Sequence, residues 1–429
     1  MGFIKSFSIY TFSGILNRGI SFLLLPFFTH HLTQADYGVI TIFSNSMYFI
    51  IPFMSMGVGE TLTVEYPLLS KEALSKFIST SLVFPAGVFL ISSLMILVFG
   101  SFFTRLTGLS TYLLYMVCIL SIFNFLTEYL FVLFRNQNRP LSFAMLSIGK
   151  TVIELSLAIY LISVMKQGYM GRVNSIMVSS ATGVLVVIIY FYKKELFVPA
   201  ISREWLKVIL KRGLPSVPFF LMLFVLNNTD NYFINYYHGK SSLGPYGLAC
   251  QVAMIINLLA TSFVTPFYPF FYQNLLKKEY LKIGKVILVY IAIMIAAVLS
   301  LALCSPFFFK IFISAKFTES LHFILLLCIG QLCWGGFILF LGYLYFKKEN
   351  QKLYYISVAT ICFTICADYL IIKESETINW AWANMLSFLF CLLSIMFIYR
   401  KHIIGVYRYI KQKNNLNSMV KYKSVSNEK

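Results

Sequence analysis

The chain has 429 residues, 59% of them hydrophobic and only 12% charged, with a mean hydropathy of +0.78. A globular domain carries about a quarter charged residues, so a soluble fold is excluded. The formal charge of +19 would suggest nucleic acid in a soluble protein, but here the basic residues sit in short loops between apolar runs, and no nucleic-acid partner is expected.

Apolar runs of roughly 20 residues, each long enough to cross about 30 Å of hydrocarbon as helix, recur along the whole chain. They predict spans at 8–30, 37–58, 77–99, 112–134, 141–164 and 173–192, then 214–235, 245–268, 286–308, 321–346, 353–372 and 379–399. Backbone groups in lipid need internal partners, and long continuous runs select helices over a closed barrel. The first run lacks a small-residue cleavage site, so no cleaved signal is expected. The eight cysteines all fall inside apolar runs as packing residues, without disulfide or metal-ligand spacing.

Of the 35 Lys and Arg residues, 26 fall in segments on the side of the N-terminus, 7 on the opposite side, and Arg18 and Lys150 lie within spans. That asymmetry predicts both termini in the cytoplasm. Between spans six and seven, Trp205, Leu206, Ile209 and Leu210 share one helical face and Ser202 can cap the start. This reads as an interfacial helix on the cytoplasmic leaflet, in contact with membrane lipid.

A faint repeat accompanies the linker. Tyr37-Gly38 opens the second span, with Thr33 and Asp36 spaced as a capping box. Tyr246-Gly247 opens the eighth, after Pro245. Both dipeptides enter the membrane in the same direction, which implies parallel lobes. The expected fold is all-α integral membrane, about twelve transmembrane helices in two parallel six-helix lobes. The N-lobe covers 1–192, a cytoplasmic linker 193–212, the C-lobe 213–400 and a basic cytoplasmic tail 401–429.

A charge at mid-bilayer costs at least about 2.5–3.5 kcal/mol, so each one calls for a reason. Arg18, beside Asn17 in the first span, suits a cationic anchor that grips phosphate bidentately, or else half of a structural ion pair. Lys150 and Glu154, four residues apart in the fifth span, can neutralise one another or serve substrate or proton binding. Glu128 is the other N-lobe carboxylate. Asn17, Arg18 and Lys150 are the candidate substrate-binding residues; Glu154 and Glu128 are the candidates for ion coupling. Asp230 and Asp368, near the outer ends of their spans, suit snorkelling or local pairing. Pro26 and Pro85 can kink their helices.

There is no phosphate-cradling loop for ATP, no paired-aspartate motif for a sugar transferase, and no outer loop longer than about a dozen residues. Catalysis is not expected, nor is a cofactor or a bound metal.

Gly14-Ile-Leu-Asn17-Arg18-Gly-Ile-Ser-Phe-Leu-Leu-Leu-Pro26 followed by Leu32-Thr-Gln-Ala-Asp-Tyr37-Gly38 resembles the start of bacterial O-antigen and capsular polysaccharide flippases. These belong to the multidrug/oligosaccharidyl-lipid/polysaccharide exporter superfamily. Phe134-Arg135-Asn-Gln-Asn-Arg-Pro140 resembles that family's basic loop. Arg212-Gly-Leu-Pro215, Asn228-Thr-Asp230-Asn-Tyr232 and Tyr246-Gly247 resemble the start of its second lobe. The resemblance implies a bacterial inner-membrane flippase. It would move an undecaprenyl-pyrophosphate-linked oligosaccharide to the periplasmic leaflet through a cationic cavity between the lobes, by alternating access. A polysaccharide polymerase and a chain-length regulator are candidate partners. The alternatives are a multidrug antiporter of the same superfamily, which would favour an acidic, aromatic cavity, and a membrane glycosyltransferase or polymerase.

Overall fold

A computed structural model describes residues 9, 10, 12–14, 16, 17, 19, 20, 22, 24–198, 200–277, 279–347, 349–374 and 379–400. Arg18 and the 401–429 tail lie outside the described residues. Every regular element is helical: α1 (the described positions between 9 and 22), α2 (Leu25–His31), α3 (Gln34–Ser55), α4 (Val58–Glu65), α5 (Lys71–Ser81), α6 (Val83–Thr107), α7 (Thr111–Asn136), α8 (Pro140–Ile159) and α9 (Tyr169–Lys193). After the linker follow α10 (Arg203–Gly213), α11 (Val217–Leu276), α12 (Tyr280–Phe312), α13 (Leu321–Lys347), α14 (Asn350–Glu374) and α15 (Trp380–Arg400).

Ten of the described helices are long and apolar enough to cross a membrane. The 60 residues of α11 would extend about 90 Å, roughly three times the hydrocarbon thickness. Gly239 breaks that helix with φ 84 and ψ 173, a conformation essentially restricted to glycine, and makes two crossings of it. The molecule is an all-α membrane protein of about twelve transmembrane helices in two parallel six-helix lobes.

The breaks follow local chemistry. Pro26 falls in the first turn of α2, and Pro85 in the first turn of α6, so the first and third crossings are each broken just before their proline. Thr33 and Asp36 form the capping box of α3: the Thr33 amide donates to the Asp36 carboxylate at 3.0 Å, and the Asp36 amide donates to Thr33 Oγ1 at 3.1 Å. Gly108, at φ 67, ends α6, and Ser110 caps α7. Side chains on α6 such as Leu90, Leu97 and Val98, and on α12 such as Leu288 and Leu303, stand exposed on the outer surface, where lipid rather than water receives them.

The most extensive contact among the described residues joins α3 to α11, and glycines permit it. A Cβ on Gly38 would overlap the Lys240 carbonyl, and one on Gly244 would overlap the Gln34 carbonyl. Gly247 packs against the Thr41 side chain, and Tyr37 donates to Gln251 Oε1 at 2.8 Å. Tyr37-Gly38 and Tyr246-Gly247 thus mark the place where the two lobes meet. At the same end, Asn235 Nδ2 donates to the Thr107 carbonyl at 3.0 Å, and Gln34 Nε2 donates to the Lys316 carbonyl. The side-chain hydrogen bonds that join the two lobes among the described residues lie between this end and the level of Ser46, which meets the Tyr232 hydroxyl at 3.0 Å. The lobes are therefore closed on one another at the Gly239 end.

At the opposite end α10 is seated on the N-lobe. Ile209 is fully buried, the Trp205 ring meets Phe77 edge-on at 5.3 Å, and Arg212 pairs with Glu65 at 2.6 Å. Gly213 touches the Met56 backbone so closely that a Cβ would overlap it. Leu210 remains exposed, as do Arg203, Lys207 and Lys211. The apolar face of the linker helix is thus only partly covered by protein.

Candidate functional site

The N-lobe interior carries a polar strip contributed by α1, α7, α8 and α9. On α8, Ser147, Lys150 and Glu154 recur at helical spacing and share a face. Asn17 Nδ2 donates to Ser147 Oγ at 2.5 Å, which ties the first crossing to this strip. Arg18, the next residue in sequence, lies outside the described residues.

Lys150 runs between helices rather than outward. A Cβ on Gly183 of α9 would stand 3.0 Å from both Lys150 Cδ and Thr127 Oγ1 of α7, so glycine at 183 makes the room for the lysine stem. Ser179 Oγ donates to the Lys150 carbonyl at 2.8 Å and fixes α9 against α8. Among the described residues no carboxylate lies within 4.0 Å of the ammonium, although Glu154 and Glu128 are within electrostatic reach. Glu128, on α7, is exposed and feels Arg135 and Lys150.

Of the two readings of Lys150 and Glu154, mutual neutralisation is corrected by the structure. Glu154 is bound to Arg172 of α9, with Arg172 Nη2 at 2.7 Å from Glu154 Oε1, and the guanidinium sits over the Phe28 ring at 5.2 Å. Arg172 Nη1 is buried with no hydrogen-bond partner among the described residues. The spans expected at 141–164 and 173–192 leave Arg172 in the loop between them. It lies instead in the first turn of a crossing, brought to α8 by a tight connection through Gly168 at φ 55. A fork already holding one carboxylate is the stronger partner for Glu154, which leaves the Lys150 charge uncompensated.

A second polar centre sits in the C-lobe. Asp230 and Asp368 are 2% and 0% exposed, so of the two expectations, snorkelling or local pairing, neither residue snorkels to the surface. Asp230 Oδ2 accepts from the Tyr246 hydroxyl at 2.5 Å and from Asn384 Nδ2 at 2.9 Å, and Oδ1 accepts from the Asn231 amide at 2.8 Å. Both carboxylate oxygens of Asp368 are buried without a hydrogen-bond partner among the described residues, and Asp368 is in electrostatic contact with Asp230. Asn231 Oδ1, Asn384 Oδ1 and Thr364 Oγ1, one turn before Asp368, are also buried and unpartnered among those residues. Two such carboxyls in a low-dielectric interior are costly to keep as two free anions. The visible signal was polar residues inside apolar runs, Asn231 beside Asp230 and Asn384 in the last span. Their convergence comes from α11, α14 and α15.

At the Gly239 end a recess of about 520 Å³ lies where the lobes meet, lined by Thr104, Ser110, Thr111, Tyr169 and Lys240 among others.

A helical, two-lobe bundle with a polar centre in each lobe is a polytopic membrane fold. Its fold is similar to the lipid II flippase MurJ in an inward closed conformation, at TM-score 0.75 and 15% identity over 92% of this chain and 87% of that one. It is also similar to an inward-facing multidrug resistance MATE family transporter of the MOP superfamily (TM-score 0.65, 14% identity, 91% and 96% covered). A Pyrococcus furiosus MOP superfamily transporter, whose binding pocket is described as having reverse polarity, matches at TM-score 0.60 and 13% identity, with 94% and 96% covered. No curated protein matches the sequence. Residues 3–275 match the polysaccharide biosynthesis protein family, and the chain belongs to it.

Proposed function

We propose that this transporter moves an undecaprenyl-pyrophosphate-linked oligosaccharide from the cytoplasmic to the periplasmic leaflet of a bacterial inner membrane, for O-antigen or capsule synthesis, without catalysing a reaction. The observation that carries the reading is Lys150, an intramembrane ammonium set among polar groups of α7, α8 and α9 with no ion-pair partner among the described residues. A charge is tolerable there beside water or a substrate anion. Arg18, from its place next to Asn17 in the first span, would add a bidentate grip on the pyrophosphate. The N-lobe, 1–192, then serves as the anion-binding half and the C-lobe, 213–400, as its moving counterpart, joined by 193–212 with both termini and the basic 401–429 tail in the cytoplasm. Closure at the Gly239 end makes this an inward-oriented state in that topology. The prenyl tail stays in lipid while the glycan occupies the space between lobes. A polymerase and a chain-length regulator would receive the product.

The buried Asp230–Asp368 pair favours it as the coupling centre. Glu154 is bound to Arg172, while Glu128 remains a candidate near Lys150. The same acidic pair is the specific support for the second reading, a multidrug antiporter of the superfamily.

The test measures surface glycan export and protein abundance in the same strains. Arg18→Ala and Lys150→Ala should each abolish export with normal abundance, and Arg18→Lys should retain part of it, because a point charge replaces a fork. Normal export by both alanine variants would end the phosphate-anchor reading. Lost export of a cationic dye with glycan export intact would favour the antiporter.

A further inference from the structure

Near the linker end of the C-lobe, three aromatic rings stand in series with their planes nearly parallel. Tyr268 and Tyr272, one turn apart on the second half of α11, have ring centroids 6.0 Å apart and planes inclined by 17°; Tyr272 and Phe346 of α13 follow at 5.7 Å and 26°. The first ring is fixed in place. Its edge lies on Gly342, where a Cβ would meet Tyr268 Cε1 at 2.5 Å, and its hydroxyl donates to the Ile338 carbonyl at 2.6 Å. Tyr345, 41% exposed, stands beside the series within electrostatic reach of both Tyr272 and Glu60. Glu60 belongs to α4, in the other lobe, and is exposed with no ion-pair partner among the described residues. Tyr345 is thus turned toward α4, and the ring series lies beside it. Interfacial tyrosines that anchor a protein in lipid point outward, and an outward direction would not bring Tyr345 toward α4.

Rigid aromatic rings with a polar edge suit a ligand that alternates apolar and hydroxylated surfaces. A pyranose has one face of C–H groups and a rim of hydroxyls, and tyrosine offers a flat surface at low entropic cost together with a phenol at the rim. Repeated near-parallel rings, spaced on the scale of a sugar unit, favour several such units in sequence over one compact molecule. We propose that Tyr268, Tyr272 and Phe346, with Tyr345 and the opposing Glu60, form a stacking platform for the sugar rings of the lipid-linked glycan. This rests on the transport reading above and assigns the glycan half of the substrate to the C-lobe, as Lys150 assigns the pyrophosphate half to the N-lobe. Stacking tolerates different sugars, so the platform measures glycan presence and length more than identity.

The test uses the purified full chain in lipid nanodiscs with two probes: undecaprenyl pyrophosphate, and the same lipid carrying a chitobiose disaccharide. Wild type should bind the glycosylated probe about tenfold more tightly than the bare one, the size of one or two ring contacts. The double variant Tyr272→Ala/Tyr345→Ala should bind both probes at the bare-lipid level, with a melting temperature near wild type. Tyr272→Phe/Tyr345→Phe, which keeps the rings, should retain most of the preference and covers the case in which the alanine variant is destabilised. Equal affinity of wild type for the two probes, equal loss of both in the alanine variant, or loss of the preference in the phenylalanine variant as great as in the alanine one overturns the platform. Failure of wild type to bind either probe would instead overturn the transport reading on which the platform stands.

Discussion

Arg172 shows how a single side chain redistributes the charges around it. By taking Glu154 it leaves Lys150 uncompensated, and its own Nη1 stays unpartnered among the described residues. Glu154→Gln should strand the guanidinium and lower stability by about 1–2 kcal/mol, less than for a fully buried pair because both side chains keep some exposure, and Glu154→Gln/Arg172→Gln should recover most of it. Thermal unfolding of detergent-purified variants checks this; if the single and double variants melt alike, the pair is not structural. Asp368 behaves in the opposite sense. Its two carboxylate oxygens have no donor among the described residues, so Asp368→Asn removes an uncompensated acid from the interior. The variant should be at least as heat-stable as wild type yet lose the dependence of transport on a proton or sodium gradient, read as glycan-lipid movement in proteoliposomes under each gradient. Gradient dependence retained in full would exclude Asp368 from coupling. Lys150 could be picked out from sequence because an intramembrane charge announces itself. The partner of Glu154 could not, since α8 and α9 meet only after the Gly168 turn.

Among the elements, the contact of α3 with α11 decides which end of the molecule is shut. Helices approach this closely only where side chains are absent, at Gly38, Gly244 and Gly247. Adding a methyl group against a backbone carbonyl forces the helices apart, at a cost of about 1–3 kcal/mol. Gly244→Ala should therefore open the Gly239 end. In a background with the eight native cysteines replaced, cysteines at Gln34 and Lys316 should cross-link readily in the parent and several-fold more slowly with Gly244→Ala. Unchanged cross-linking would show that the closure does not depend on that approach. Much of this element level was legible: the Thr33–Asp36 capping box, the breaks before Pro26 and Pro85, and the matched Tyr-Gly pairs were all read from local pattern. Less legible was α11, where the expected gap between spans is helical on both sides of one residue, Gly239.

For the whole molecule, the distribution of Lys and Arg is a prediction about sidedness. Reporter fusions after Lys429 and at Lys240 should report opposite sides, with the C-terminus cytoplasmic; the same side for both would overturn the topology. Composition, span length and basic loops follow from the solvent, because a bilayer demands about 20 apolar residues per crossing and penalises charge. The sequence by itself therefore determined that the chain lies in the membrane, about how many times it crosses, and where its helices start. Only the tertiary structure decided that Asp230 on α11 and Asp368 on α14 share one buried centre, that Arg172 rather than Lys150 neutralises Glu154, and that the lobes close at the Gly239 end. These depend on which helix faces meet, and helix–helix contacts in lipid are set by van der Waals fit and a few polar pairs between distant positions, which no local periodicity records.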